Sequence, residues 1–281
     1  MPSFHSYDGT RLAYHLRGNG GAGDPLVVLP GGPMRASEYL GDLGGLGARR
    51  PLVLLDLRGT GESALPADPA TYRCDRLVDD VEALRVHLGL ERMDVLGHSA
   101  GGSLALLHAA RYPERVSRLA LITATPWALG MPATAENRLA AARLRKGEPW
   151  FEDAFPAFEA WLTGNGDFDL TFMPFFYGRW DEAARAHAAA DEEQTNDDAA
   201  DVYGSEGAYD PPATRAALGR LTAPVLVLAG ELDGGARPEL ARGVCEFAPH
   251  TEFSIQPGAG HYPWLDDPEW FTARVGDFFA G

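Results

Sequence analysis

The sequence predicts a doubly wound α/β protein with a mostly parallel sheet and an inserted helical region. Short apolar runs bounded by glycine or proline recur along the chain, as expected of strands buried on both faces of a parallel sheet. Segments with leucines at helical spacing separate most of these runs, and this alternation favours right-handed strand–helix–strand crossovers. The alternation stops between about Pro126 and Leu221 and then resumes, which indicates an insertion in a single core.

The individual elements follow in order from the first residues. Asp8-Gly9 is a turn dipeptide between two short alternating segments, so the chain is predicted to open with a β-hairpin. Helices are predicted around residues 77–88 and 104–112, and at Pro268–Phe279. The predicted buried strands are Leu26–Leu29, Pro51–Leu55, Met93–Leu96, Arg118–Ile122, Pro224–Ala229 and Thr251–Ile255.

Residues 126–221 are predicted to form a helical cap, and residues 1–125 and 222–281 to form the α/β core. The insertion holds 14 of the chain's 28 aromatic residues and carries 17 acidic against 8 basic side chains. Ligands of open α/β sheets bind at the carboxyl ends of the strands. An insertion between two strands of such a sheet is therefore expected to cover a site at that edge.

Composition excludes several classes of function. The formal net charge of −16 repels phosphates and anionic lipids, so neither a nucleic-acid nor a membrane partner is expected. Lys146 is the only lysine, Cys74 and Cys245 match no metal spacing, and no GxxxxGK[ST] or HExxH string occurs. We therefore expect no metal and no cofactor. The glycine-rich run Gly18–Gly23 does not open a helix after a strand, so it is predicted to be a flexible hairpin loop. The first residues lack the layout of a secretory signal, which favours a cytoplasmic location.

The segment Gly97–Gly101, which reads GHSAG, is the strongest catalytic signal. It follows the predicted strand Met93–Leu96 and precedes an Ala- and Leu-rich helix, the context of a GxSxG nucleophile elbow. Such a turn raises the Ser99 hydroxyl out of the sheet, near a helix N-terminus that stabilises a developing anion. Ser99 is the predicted nucleophile, with a structural Gly/Ser turn as the alternative, and His98 is predicted to pack inside the elbow.

His261 is the predicted general base. It lies in Gly258–Pro263, a loop after the last strand, where glycine and proline keep the chain out of regular structure. A serine hydroxyl needs a base and the base needs an orienting carboxylate, in the chain order Ser, acid, His. Asp233 follows the strand Pro224–Ala229 and is the predicted acid, and Glu231 is the nearest alternative.

Two further acidic residues near the C-terminus receive a structural prediction. Asp266 and Asp267 stand directly before Pro268, and both are predicted to cap the final helix. They are therefore set aside as candidates for the catalytic acid.

An oxyanion hole requires two backbone N–H groups aimed at the tetrahedral intermediate. One is expected from Ala100, the residue after the nucleophile. The other is expected from the loop after Leu26–Leu29, where Pro33 has no N–H, so Gly32 is the first candidate and Met34 the second. The alternative is a Gly/Pro turn that only ends the strand.

Together these residues resemble the α/β-hydrolase superfamily over nearly the whole chain outside the insertion. Within it, Gly31-Gly32-Pro33 and the DLRGTGES loop at Asp56–Ser63 resemble the proline iminopeptidase branch, which carries HGGPG and DxRGxGxS at these sites. Pro30 and Met34 depart from HGGPG, and GHSAG differs from the GGSWG of many peptidases of the branch. The resemblance implies an α/β-hydrolase fold and an acyl-enzyme mechanism releasing an N-terminal aminoacyl group from a small-molecule or short peptide-like substrate.

The same resemblance suggests substrate-binding residues. In that branch acidic cap residues hold the free amino terminus of the substrate, and the acidic run that includes Glu192 and Glu193 is the corresponding candidate here. A solvated helix face is the alternative for such a run. Trp180 and Phe176 are candidates for an apolar wall of the substrate pocket, with packing inside the cap as the alternative.

Other functions remain open at this point. A carboxylesterase or lactonase on a small apolar ester would use the same Ser99, Asp233 and His261. A cofactor-free lyase or haloperoxidase would also use them, and a ligand-binding receptor of this fold would keep them without turnover. Serine at the nucleophile position, where dehalogenases and epoxide hydrolases need aspartate, argues against those two reactions. The sequence leaves the oligomeric state open.

Overall fold

A computed structural model of the chain describes residues 1–18 and 23–281. The loop predicted at Gly18–Gly23 therefore lies, for residues 19–22, outside the described residues.

Eight strands in the described ranges form one sheet. They are β1 (Ser3–His5), β2 (Arg11–Arg17), β3 (Leu26–Leu29), β4 (Leu52–Leu55), β5 (Met93–His98), β6 (Val116–Ile122), β7 (Val225–Gly230) and β8 (Thr251–Gln256). Their order is β1-β2-β4-β3-β5-β6-β7-β8. The pairs β1–β2 and β2–β4 are antiparallel, and the other neighbours are parallel. The predicted α/β class and the mostly parallel sheet are confirmed.

The helices complete the layers on the two faces of the sheet. They are α1 (Cys74–His87), α2 (Ala100–Arg111), α3 (Ala135–Arg143), α4 (Phe151–Leu162), α5 (Glu182–Ala189), α6 (Asp191–Gln194), α7 (Asp197–Tyr203), α8 (Pro211–Leu218), α9 (Pro238–Val244), α10 (Pro263–Asp266) and α11 (Pro268–Ala280). Within the described part of the chain, no helix has both the length and the apolar character needed to span a bilayer.

Burial of the central strands explains why their sequences are continuously apolar. β3, β4 and β7 are buried along their whole length. One apolar cluster, which includes residues of α1, α2 and α9, covers one face of the sheet, and a second cluster with residues of α11 covers the other. Helices on both faces leave no polar side to these strands, so the alternation typical of a half-exposed strand is missing.

The helices α3 to α8 lie between β6 and β7, so the predicted helical insertion is confirmed. Its aromatic residues pack against one another: the ring centroids of Phe158 and Phe175 are 4.7 Å apart, and those of Trp161 and Phe172 are 4.8 Å apart. Much of the aromatic content therefore builds the core of this region. The boundaries 126–221 and the covering role of the region stay predictions.

The prediction that both aspartates before Pro268 cap the final helix is wrong for Asp266. Asp267 does cap α11, because its carboxylate accepts a hydrogen bond of 3.0 Å from the Trp270 N–H. The Asp266 carboxylate instead accepts from the N–H groups of Gly178 at 3.1 Å and Gly260 at 2.7 Å. It therefore ties the inserted region to the loop that carries His261, a contact that no local sequence pattern shows.

Candidate active site

Ser99 occupies a strained turn between β5 and α2. Its φ of 52° and ψ of −122° lie where few side chains are tolerated, as at a nucleophile elbow. The flanking glycines permit this geometry: a Cβ on Gly97 would lie 2.5 Å from the Gly101 oxygen, and one on Gly101 would overlap the carbonyl of Leu29. The close packing of strand, turn and helix explains the two glycines around Ser99.

His261 and Asp233 are hydrogen bonded to each other. His261 Nδ1 lies 2.8 Å from Asp233 Oδ2, and both side chains are buried. The other carboxylate oxygen accepts a bond of 2.7 Å from the Gly235 N–H, and the His261 N–H donates to the Phe176 carbonyl at 2.7 Å. An ionised carboxylate only accepts hydrogen bonds, so Nδ1 carries the hydrogen and Nε2 is left as the acceptor.

The end of β6 brings Ser99 and His261 to the same edge of the sheet. The Ser99 N–H donates to the Ile122 carbonyl at 3.1 Å, and the hydroxyl of the next residue, Thr123, donates to the His261 carbonyl at 2.8 Å. Across residues 1–18 and 23–281 the Ser99 hydroxyl makes no hydrogen bond, and its bond to His261 stays a prediction. In enzymes without substrate such contacts are often long and shorten in the substrate complex.

A chain of buried hydrogen bonds joins the loop after β3 to the backbone of His261. The Gly31 N–H donates to the Tyr39 hydroxyl oxygen at 2.7 Å, and that hydroxyl lies 2.6 Å from His98 Nδ1. His98 Nε2 lies 2.9 Å from the His261 carbonyl. A carbonyl only accepts, so Nε2 donates and Nδ1 accepts from Tyr39. Burial lowers the pKa of His98 well below its ordinary value, which keeps the ring neutral as this pattern requires.

His98 is buried as predicted, whereas Tyr39 has no signal in the sequence. Tyr39 is separated from His98 by 59 residues and becomes its neighbour only in the folded chain. Burial also raises the pKa of the Tyr39 hydroxyl, so this group keeps its proton and can donate. Tyr39 and His98 together position the loop after β3 and the loop that carries His261 beside Ser99.

The loop that contains the first oxyanion candidate lies directly against Ser99. A Cβ on Gly31 would lie 2.7 Å from the Ser99 Cβ and 3.3 Å from its Oγ. Gly32 has a φ of 117° and Met34 a φ of 61°. The Gly31 N–H is engaged by Tyr39. Ala100 begins α2, where N–H groups of the first turn have no partner within the helix. Gly32 and Ala100 as oxyanion donors stay predictions.

Arg35 fastens the same loop to the inserted region. The buried Arg35 guanidinium forms an ion pair of 2.7 Å with Asp191 and donates to the Gln194 side-chain oxygen at 2.8 Å. The backbones also pair, because the Ala36 N–H donates to the Gln194 carbonyl at 2.8 Å and the Asn196 N–H donates to the Met34 carbonyl at 3.1 Å. We call this set of contacts, between residues 34–36 and 191–196, the clasp.

The structure separates the predicted substrate-binding residues. Phe176 is beside the predicted base: its ring centroid lies 5.8 Å from that of His261, and the angle between the two ring planes is 76°. Trp180 packs against Tyr177, with the ring centroids 5.3 Å apart. Glu192 and Glu193 are exposed on α6 and, among the described residues, form no hydrogen bond or ion pair through their side chains. Their exposure is typical of a solvated helix face.

Arg138 on α3 brings a positive charge close to this site, which the sequence analysis missed. Its Nε donates a bond of 2.9 Å to the carbonyl of Gly234, the residue after Asp233. Its guanidinium carbon lies 4.7 Å from the ring centre of Trp161 and 5.5 Å from that of Phe176. Desolvation lowers the pKa of Arg138 to about 10, although the charge of Asp233 acts in the opposite direction. In the described part of the chain the guanidinium has no ion-pair partner.

The fold and site define a doubly wound α/β protein with a serine elbow and a His–Asp pair at one edge of the sheet. Residues 24–268 match the family described as the alpha/beta hydrolase fold, and the chain belongs to this family. No group of three or more metal-ligating side chains that could hold an ion occurs in residues 1–18 and 23–281.

Individual relatives include peptidases and other hydrolases. A proline iminopeptidase of Heyndrickxia coagulans is 26% identical over 288 residues, which cover 98% of this chain and 97% of that protein. The crystal structure of a proline iminopeptidase from Mycobacterium smegmatis has a TM-score of 0.76 and 26% identity, covering 99% of this chain and 98% of that one. An enol-lactonase from Burkholderia xenovorans LB400 covers both chains fully with a TM-score of 0.72, but its 21% identity shows the shared fold alone.

Proposed function

We propose that the chain is a serine hydrolase that forms an acyl-enzyme on Ser99. The observation that carries this proposal is the 2.8 Å bond between His261 and Asp233 at the edge of the sheet where the strained Ser99 lies. This bond orients the ring and leaves Nε2 to accept a proton, which is what a weak serine nucleophile requires.

The proposed reaction has two halves. Ser99 Oγ attacks the substrate carbonyl carbon while His261 Nε2 takes the hydroxyl proton, and the N–H groups of Gly32 and Ala100 bind the oxyanion. The C–O or C–N bond then breaks, and the leaving group takes the proton from His261. Water, deprotonated by the same ring, attacks the acyl-enzyme and restores the Ser99 hydroxyl. Asp233 stabilises the imidazolium in both halves.

The first candidate substrate is a small N-terminal amide, cleaved in the manner of an aminopeptidase. This choice is supported by the proline iminopeptidases that are 26% identical over almost the whole chain. In this proposal the inserted region, residues 126–221, acts as a cap and Phe176 forms part of the wall over the bound acyl group. Glu192 and Glu193, both exposed on α6, stay the candidates for the amine site in this proposal.

The second candidate is a carboxylesterase or lactonase activity with the same residues. It is favoured by the guanidinium of Arg138, which contacts the Phe176 ring that itself packs against His261. Within the described residues this guanidinium is not neutralised by an ion pair. A positive charge at this position repels the free ammonium group of an aminopeptidase substrate. It has no such effect on a neutral ester.

A substrate panel with matched variants tests the proposal. Aminoacyl-arylamides and p-nitrophenyl esters are compared on the wild-type protein, on Ser99→Ala, and on a control with the exposed Ser205→Ala. Ser99→Ala is expected to lower kcat by about 10⁵- to 10⁶-fold, as in other triad enzymes, and Ser205→Ala to leave it unchanged. A loss of less than tenfold for Ser99→Ala would remove this residue from the mechanism.

The same panel separates the two candidate activities. If the chain is an aminopeptidase, N-acetylation of the arylamide substrate abolishes cleavage. Equal rates for free and acetylated amines would rule out an amine site, and turnover restricted to esters would decide for the second candidate.

A further inference from the structure

We propose that Arg138 binds a carboxylate group of the substrate, so that the preferred substrates are small esters or amides that carry a carboxylate. This proposal rests on the proposed function, because it names the substrate class of the same site.

The position of Arg138 suits a contact with a substrate bound at Ser99. Its guanidinium carbon lies 5.5 Å from the Phe176 ring centre, and that ring lies 5.8 Å from the His261 ring. The guanidinium and the imidazole are therefore at most about 11 Å apart. The bond from Nε to the Gly234 carbonyl holds the side chain there, and the Gly234 N–H is itself fixed to the Phe175 carbonyl at 3.0 Å.

The donors of Arg138 are only partly used by the protein. Its Nε has a partner, whereas its two terminal nitrogens form no hydrogen bond with the described residues, and neither belongs to the fully buried polar atoms without partners. They are therefore open to a small molecule. Arg145 in the same inserted region differs, since its terminal nitrogens bond to the carbonyls of Tyr177 and Gly178 and to the Glu148 carboxylate.

A carboxylate is the group that these donors fit best. The planar guanidinium presents parallel N–H groups that match the two oxygens of a carboxylate, and the surrounding rings of Phe158, Trp161 and Phe176 strengthen the attraction by excluding water. A cation–π contact with these rings uses the charge of the guanidinium but satisfies none of its N–H donors. A bound carboxylate therefore supplies acceptors that the protein itself does not offer to the terminal nitrogens.

Matched substrate pairs test the proposal on both sides of the scissile bond. On the acyl side, p-nitrophenyl hydrogen adipate is compared with p-nitrophenyl 6-methylheptanoate, in which an isopropyl group replaces the carboxylate. On the leaving-group side, 3-acetoxybenzoate is compared with phenyl acetate. The quantity measured is the ratio of kcat/KM values within each pair, at a pH near 7.5 and at low ionic strength.

The variants are Arg138→Gln, Arg138→Lys and a control, Arg143→Gln, on the exposed face of the same helix. The wild-type protein is expected to prefer the carboxylate in at least one pair by about 10- to 100-fold, the size of a charge-assisted contact. Arg138→Gln should abolish this preference and Arg138→Lys should retain part of it, because the charge remains and the fork is lost. Arg143→Gln should leave the ratio unchanged.

Two results would overturn the proposal. One is a wild-type protein that shows no preference for the carboxylate in either pair. The other is an Arg138→Gln protein that remains folded by thermal unfolding and loses activity equally toward both members of a pair, which is the result expected of a purely structural role.

A binding measurement keeps this inference distinguishable from the proposed function. Calorimetric titration of the Ser99→Ala protein with adipate should show binding. The affinity of the Ser99→Ala, Arg138→Gln double variant for adipate should be lower by about tenfold or more. If neutral esters are hydrolysed through Ser99 but adipate binding does not depend on Arg138, only the further inference fails. If adipate binds through Arg138 but no substrate is turned over, only the proposed function fails.

Discussion

Replacement of Tyr39 by phenylalanine removes one oxygen from the middle of the buried chain of hydrogen bonds. That oxygen accepts from the Gly31 N–H at 2.7 Å and donates to His98 Nδ1 at 2.6 Å. Tyr39→Phe therefore leaves a buried donor on the loop after β3 and a buried acceptor on His98 at the end of β5, while the ring still fills its place.

The cost follows from these two groups. A buried polar group left without a partner costs about 1–3 kcal/mol, so two such groups should lower the free energy of unfolding by about 2–6 kcal/mol. Gly31 lies against Ser99, and a freed loop no longer holds the oxyanion donors in place. We therefore expect kcat to fall by about 10- to 100-fold. This loss does not exceed the smallest loss that follows removal of a complete oxyanion donor.

The assay compares Tyr39→Phe with Tyr14→Phe. Tyr14 is also buried, but among residues 1–18 and 23–281 its hydroxyl hydrogen bonds only with His87, at 3.3 Å, and neither residue belongs to the hydrogen-bond chain between Gly31 and His261. Urea unfolding should show a loss of about 0.5–1.5 kcal/mol for this control and no change in kcat. A Tyr39→Phe protein that matches the control in both measurements would refute the role assigned to the hydrogen-bond chain.

Two further predictions concern the loop after β3 and the inserted region. Gly31→Ala should lower kcat by about 100-fold, because the new Cβ would meet Ser99 at 2.7 Å. Gly147→Ala, where a new Cβ would have no described atom within 4 Å, should leave kcat unchanged with the same p-nitrophenyl ester substrates. Burial is the main cause that lowers the pKa of His187 to about 4, so the unfolded chain binds a proton between pH 6.5 and 4 that the folded chain does not. Acidification through this window should therefore destabilise the fold by at most about 3 kcal/mol through this group. Thermal unfolding of His187→Gln should depend less on pH than that of the wild-type protein. Equal pH dependence of the two proteins would contradict the assignment.

Local patterns predict the parts of this molecule that depend on neighbours in the sequence. The continuous apolar runs predict β3, β4 and β7 because helices cover both faces of the sheet. The GHSAG segment predicts the elbow at Ser99 because a tight strand-to-helix turn requires small neighbours. The Asp233–His261 contact could be anticipated because each follows a strand and parallel neighbours end at one edge.

Contacts between distant segments could not be predicted in this way. Arg35 finds Gln194 across 159 residues, and Arg138 reaches the carbonyl of Gly234 across 96. Asp266 stands in a typical helix-cap position, yet it turns away to bind the N–H of Gly178. The sequence shows the type and local context of a side chain, whereas these partners depend on how the inserted region packs on the core.

The clasp between residues 34–36 and 191–196 has a consequence for how such a protein diversifies. The helical insertion that is proposed to select the substrate is bonded through its backbone to the loop that is proposed to stabilise the charge of the reaction. Specificity could be changed by exchanging the whole insertion with that of another hydrolase. Such an exchange would need to include the loop from Gly31 to Ala36 as well. Chimeras that keep the two segments together should retain their rate, and those that divide them should not.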